Sequence, residues 1–151
     1  MIIGANGTGK THVMKVVYAL LRSFEQQRRP GELTAVLEAK LAGVFKPDDD
    51  RVGRLVRRVR GKGTAEVTAR IDGSMYGFTL HQTATKPIRG LRGSRSPQTP
   101  TSIFLPSREV LARFEGFTSL YAAREIAVDE TYADAVPALD LPPLKGTRPG
   151  P

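Results

Sequence analysis

The sequence predicts an α/β fold, and three observations predict it. A glycine-rich loop, Gly4-Ala5-Asn6-Gly7-Thr8-Gly9, lies between a short apolar segment and an amphipathic stretch. Two stripes of apolar residues then recur at helical spacing. From Thr64 the period drops to about two, which alternates side chains between the faces of a strand.

Each element follows from its residues. Met1 to Ile3 is the end of a short apolar strand running into the loop. A helix is expected from about Lys10 to Arg28, because Val13, Val17, Leu20, Leu21 and Phe24 share one face and Pro30-Gly31 stops it. A second helix is expected over Glu32–Phe45 with the stripe Leu33, Val36, Leu37, Leu41 and Val44. Ala65, Val67, Ala69 and Ile71 alternate with polar residues, Asp72-Gly73 suits a two-residue turn, and Tyr76, Phe78 and Leu80 continue on the return strand. Residues 82–101, rich in Thr, Pro, Gly, Ser and Arg, read as a long mobile loop. Ser102 to Leu105 reads as a short buried strand closed by Pro106, with Ser107 capping a helix that carries Val110, Leu111 and Phe114. Further helical turns are expected around residues 118–124 and 129–136, and the proline-rich tail 142–151 is expected to be disordered.

Composition narrows the function classes. The chain has 151 residues, 40% of them hydrophobic, which is enough for a core and excludes wholesale disorder. There is no cysteine, so there is no disulfide framework and no thiolate metal site, and two histidines far apart cannot hold zinc alone. No apolar run approaches the length of a membrane span, and the first residues lack the features of a signal peptide. A cytoplasmic location with no membrane partner is therefore the expectation. The net charge of +8 is uneven, since residues 1–100 hold 18 basic and 8 acidic side chains and the remainder 5 and 7. The first part could attract something anionic.

The residues that carry chemistry are Gly4-Ala5-Asn6-Gly7-Thr8-Gly9-Lys10-Thr11, which satisfy every fixed position of G-x-x-x-x-G-K-[ST]. Phosphates need a concave set of backbone N–H groups, and glycines permit positive φ and close approach. A helix beginning at the end of the loop adds unpaired N–H groups and a favourable dipole. Lys10 would reach the β- and γ-phosphates, and the Thr11 hydroxyl would ligate Mg²⁺ between them. Residues 4–11 are thus the expected nucleotide-binding set, with Thr11 as the metal ligand. No Asn-Lys-x-Asp guanine-reading motif is present, which leans toward ATP.

The stretch Asn6-Gly7-Thr8-Gly9-Lys10-Thr11 resembles the loop of ABC-type ATPases, especially the SMC/RecF/OLD-like branch, where G-x-N-G-[ST]-G-K-[ST] is usual. Ser102 to Leu111 resembles the strand followed by P-x-R-E in bacterial AAA-family ATPases of that branch. Gly116 to Tyr121 and Asp129 to Tyr132 are also similar to them. The resemblance implies a P-loop NTPase (ABC-type) partial domain with an inserted antiparallel β-hairpin, binding ATP with Mg²⁺, and a homodimer in the full-length family. It also implies a Ser-Gly-Gly signature, four apolar residues followed by Asp-Glu, and a switch histidine. The chain contains no Ser-Gly-Gly, and Ile126-Ala127-Val128-Asp129-Glu130 has only three apolar residues before its acids. Asp129 therefore reads as a helix cap, and the catalytic residues stay unassigned. Only three residues precede Gly4, so the chain reads as an internal slice: residues 1–141 form the N-terminal part of the domain. ATP hydrolysis is expected only together with the missing half.

Weaker features have plainer readings beside functional ones. Arg51, Arg54, Arg57, Arg58, Arg60 and Lys62 place six basic residues in twelve. They could contact DNA phosphates, but no aromatic is interleaved, and a solvated face whose valines and leucine join the core is favoured. Lys86, Arg89, Arg92 and Arg95 read as solvated. Arg108 and Glu109 could face a nucleotide or a dimer partner, or form a surface salt bridge. Gln82 ends a hairpin strand, which argues against a role in positioning water and Mg²⁺. His12 is expected to pack beside the loop, His81 to be an ordinary strand-end residue, and Asp48–Asp50 to be a polar turn. The competing overall readings are a basic nucleic-acid-binding module with an incidental loop motif, and a vestigial fragment.

Overall fold

The computed structural model describes residues 5, 7, 9–27, 29, 31–71, 73–93, 102–105 and 129–139. They belong to two compact units, residues 1–104 and residues 105–151. The architecture is mixed α/β, with three helices and a three-stranded antiparallel sheet among the described residues.

In the first unit, helix α1 spans Lys10–Gln26 and helix α2 spans Leu33–Phe45. Between them, Gly31 takes φ 83° and the Glu32 carboxylate accepts from the Arg29 N–H at 3.2 Å. The two 3₁₀ turns Asp48–Asp50 and Val52–Leu55 lead to strand β1, Thr64–Ile71. Strand β2, Ser74–His81, returns antiparallel with Ile71 opposite Ser74 and Thr64 opposite His81. The two-residue connection and the positive φ of Gly73 (79°) match the hairpin expected from the alternation.

A third strand, β3, spans Ile88–Arg92 and pairs antiparallel with β2. This corrects the expectation of an unstructured loop over residues 82–101. The reason is a bulge. The β2–β3 register shifts between Gly77 and Thr79, and Gly90 on β3 has φ 58°, so one extra residue breaks the alternation. With a glycine inside and only Ile88 and Leu91 apolar, the strand carries almost no period-two signal.

The core lies between the helices and one face of the sheet. Ala19, Leu20 and Phe24 of α1 and Leu37 and Leu41 of α2 pack with Tyr76, Phe78, Leu80 and Ile88 of the sheet, and Val52 and Val56 join from the segment between. Phe24 meets Tyr76 edge-on, with ring centroids 5.2 Å apart at 73°, the arrangement aromatic quadrupoles favour. The helical stripe on α1 is buried only in its second half. Val13 is 53% exposed, contrary to the expectation that it joins the core.

Residues 102–105 correct a second expectation. They form no strand, and Ile103 and Leu105 are exposed. The Ser102 N–H and hydroxyl instead donate to the Glu25 carboxylate at 2.5 and 2.9 Å. Glu25 also holds Arg22 at 2.6 Å, so side-chain bonds take the place of a sheet ladder. Phe104 reaches the Tyr18 ring at 6.0 Å.

In the second unit, helix α3 spans Glu130–Leu139. Asp129 caps it: its carboxylate accepts from the Thr131 N–H at 3.0 Å and from the Thr131 hydroxyl. That is the capping role the sequence assigned to it. Thr131, Tyr132, Ala135 and Val136 are buried at helical spacing. The expected helix after Ser107, the turns over 118–124 and the tail 142–151 lie outside the described residues.

Candidate functional site

The loop that matches the phosphate-binding pattern runs directly into α1. Gly9 is the residue before the helix and has φ 82° and ψ 11°, a left-handed conformation that favours glycine. Gly7 has φ 81°. The first intrahelical bond runs from the Val13 N–H to the Gly9 carbonyl at 3.1 Å. Among the described residues no side chain caps this end, and the first turn carries no acidic residue. The helix therefore presents its N-terminal dipole without a built-in anion. Lys10 folds back so that its Nζ donates to the Ala5 carbonyl at 2.5 Å. Thr11 and His12 are exposed. Of the expected set, Ala5, Gly7, Gly9, Lys10 and Thr11 are described, while Gly4, Asn6 and Thr8 lie outside the described residues, as does the strand end before them.

The residues flanking the loop serve packing. The His12 ring lies 5.7 Å from the Phe45 ring at 32°, as its expected place beside the loop implies. Lys15 Nζ donates to the Val44 carbonyl at 3.4 Å and sits about 6 Å from the rings of Phe45 and Phe104. These contacts fix the start of α1 against the end of α2.

Other sequence candidates lie elsewhere. Gln82 follows β2, its N–H donates to the Gly63 carbonyl at 2.9 Å, and its buried side-chain oxygen lies 2.5 Å from where a Cβ on Gly63 would stand. It lines a cavity of about 590 Å³ with Arg51, Arg58 and Thr83, and none of the described loop residues 5–11 lines that cavity. Asp48 and Asp49 hold the Arg54 guanidinium at 2.8 and 3.0 Å, and Asp49 and Asp50 have positive φ. They form the expected polar turn. No group of three or more His, Asp or Glu residues able to hold a metal occurs among the described residues. Arg108 and Glu109 lie outside them. In the basic run, Val52 and Val56 join the core as expected, while Val59 is 51% exposed. No helix among the described residues is long and apolar enough to cross a membrane.

Compared with known proteins, the chain matches no family model, no curated protein and no solved structure.

Proposed function

We propose that residues 4–11 bind the phosphates of ATP with Mg²⁺, in a P-loop NTPase domain of the ABC/SMC-like type. The observation that carries the reading is the agreement of the full G-x-x-x-x-G-K-[ST] pattern with the local backbone: left-handed Gly7 and Gly9 lead into a helix that begins at the motif lysine. Positive φ turns successive N–H groups toward one side, where an anion binds. Lys10 has its ammonium against the loop's own Ala5 carbonyl. On binding, it exchanges that neutral acceptor for a phosphate oxygen, a stronger charge-assisted partner. Thr11 contributes a single exposed hydroxyl at the first turn. A magnesium ion there would take its remaining oxygens from the phosphates and water, the usual arrangement for this hard, reluctantly dehydrated cation. Held by Thr11, Mg²⁺ would supply charge neutralisation to the bound phosphates.

Binding is assigned to residues 4–11, and no residue is assigned to hydrolysis. Equilibrium dialysis with and without magnesium tests it. ATP is expected to bind more tightly with Mg²⁺ present, and Thr11→Ala should lower affinity for Mg·ATP several-fold while leaving magnesium-free ATP binding unchanged. A magnesium effect that is absent in the parent chain would exclude Thr11 as the ligand.

A further inference from the structure

Two cavities meet at the loop after β2. The first, of about 590 Å³, carries Arg51, Arg54 and Arg58 together with Glu38 and Asp50. The second, of about 360 Å³, is lined by Lys62, Gly63, His81, Gln82, Thr83, Ala84 and Arg89, with no carboxylate among them. They share Gln82, Thr83 and Ala84, so they form one groove that changes from mixed to wholly basic character along its length.

The groove is built rigidly. A Cβ on Gly53 would stand 2.5 Å from the Gln82 carbonyl and 2.8 Å from that of His81, and one on Gly63 would stand 2.5 Å from the Gln82 side-chain oxygen. Close approach of these glycines holds the basic run against the end of the hairpin. Lys62 thereby lines the second cavity together with Arg89, the second residue of β3, while Arg58 lines the first. Sequence spacing had separated them into two unrelated sets. All three side chains are exposed, and none makes an ion pair among the described residues. Arg54, by contrast, is held by Asp48 and Asp49.

We propose that this groove binds the sugar–phosphate backbone of a single-stranded nucleic acid, with Arg58, Lys62 and Arg89 contacting successive phosphates and the Thr83 hydroxyl available as a further donor. A concave basic groove tracks one strand, whereas a duplex needs a broader face. No aromatic side chain lines either cavity, so bases have nothing to stack on and recognition is independent of sequence. Glu38 and Asp50 line the first cavity with Arg58, so the strand enters it at Arg58 and runs chiefly along Lys62 and Arg89 in the second.

Fluorescence anisotropy of labelled oligo(dT), titrated with the full chain at several salt concentrations, tests the proposal. Three phosphate contacts predict a slope of log affinity against log salt of about −2. The triple variant Arg58→Ala, Lys62→Ala, Arg89→Ala should abolish most of that slope and lower affinity at least tenfold. Arg58→Lys with Arg89→Lys should keep the slope, because point charges suffice for phosphate. Arg70→Ala, exposed near the opposite end of β1, should leave binding unchanged. Circular dichroism checks that each variant is folded. Binding absent in the parent, equal weakening by Arg70→Ala, tighter binding of a duplex of the same length, equal affinity for heparin, or stoichiometric displacement by ATP would each overturn it. Lys10→Ala, which disables the proposed ATP site, should not affect oligo(dT) binding, so the two sites fail independently.

Discussion

Phe24→Ala is expected to destabilise the first unit by about 3–5 kcal/mol, the cost of removing a fully buried aromatic whose space cannot collapse. Phe24 is 0% exposed and sits where α1 meets the sheet, edge-on to Tyr76 and close to Gly93. Truncation removes the ring's burial and the aromatic pair together. Since domains of this size are stable by only about 5–15 kcal/mol, the variant should be largely unfolded at modest urea concentrations. Urea unfolding followed by circular dichroism reads the midpoint. Val13→Ala on the same helix is the contrast. Its side chain is 53% exposed, so its midpoint should move by no more than about 0.5 kcal/mol. Equal effects would mean that the face of α1 has been misassigned.

Gly77→Val is expected to cost about 3 kcal/mol or more, through overpacking and a displaced backbone. Gly77 is buried in the central strand opposite Thr68, and a Cβ there would stand 2.5 Å from the Val67 carbonyl oxygen. Neither strand can yield without breaking the β1–β2 ladder. Gly73 offers a comparison of cause. Its Cβ would meet nothing within 4 Å, but its φ of 79° is left-handed, so Gly73→Ala should cost only the conformational penalty of about 1–2 kcal/mol. Thermal unfolding of the two variants separates a spatial requirement from a dihedral one.

Much of this fold is written locally. The hairpin is legible because Ala65, Val67, Ala69 and Ile71 alternate without interruption and Asp72-Gly73 supplies the turn. Both helices are legible because Pro30-Gly31 and Lys46-Pro47 end them within two residues of where the structure does. What local pattern cannot convey is long-range pairing. β3 hides behind the bulge at Gly90. The segment 102–105 is apolar enough to suggest a strand, yet it is fastened by Glu25, a residue 77 positions earlier. The G-x-x-x-x-G-K-[ST] pattern was legible because it is packed into eight consecutive residues. The basic groove was not, because Lys62 and Arg89 come to one cavity only when Gly53 and Gly63 let two backbones approach.

If residues 4–11 bind phosphates as proposed, the anion meets a start of α1 that no side chain among the described residues caps. A helix end with no side-chain cap and no acidic first-turn residue is unfavourable alone and favourable beside an anion. Lys10 donates to the Ala5 carbonyl at the other end of the motif.

The central claim is that this loop binds nucleotide phosphates, and calorimetric titration of Mg·ATP into the full chain, with Lys10→Ala alongside, tests it most directly. Circular dichroism establishes that both are folded. The account predicts saturable binding by the parent chain and a loss of about ten- to a hundredfold in the variant, the worth of one charge-assisted contact. A folded parent chain that releases no heat with Mg·ATP, or a Lys10→Ala variant that binds it equally well, would contradict the account.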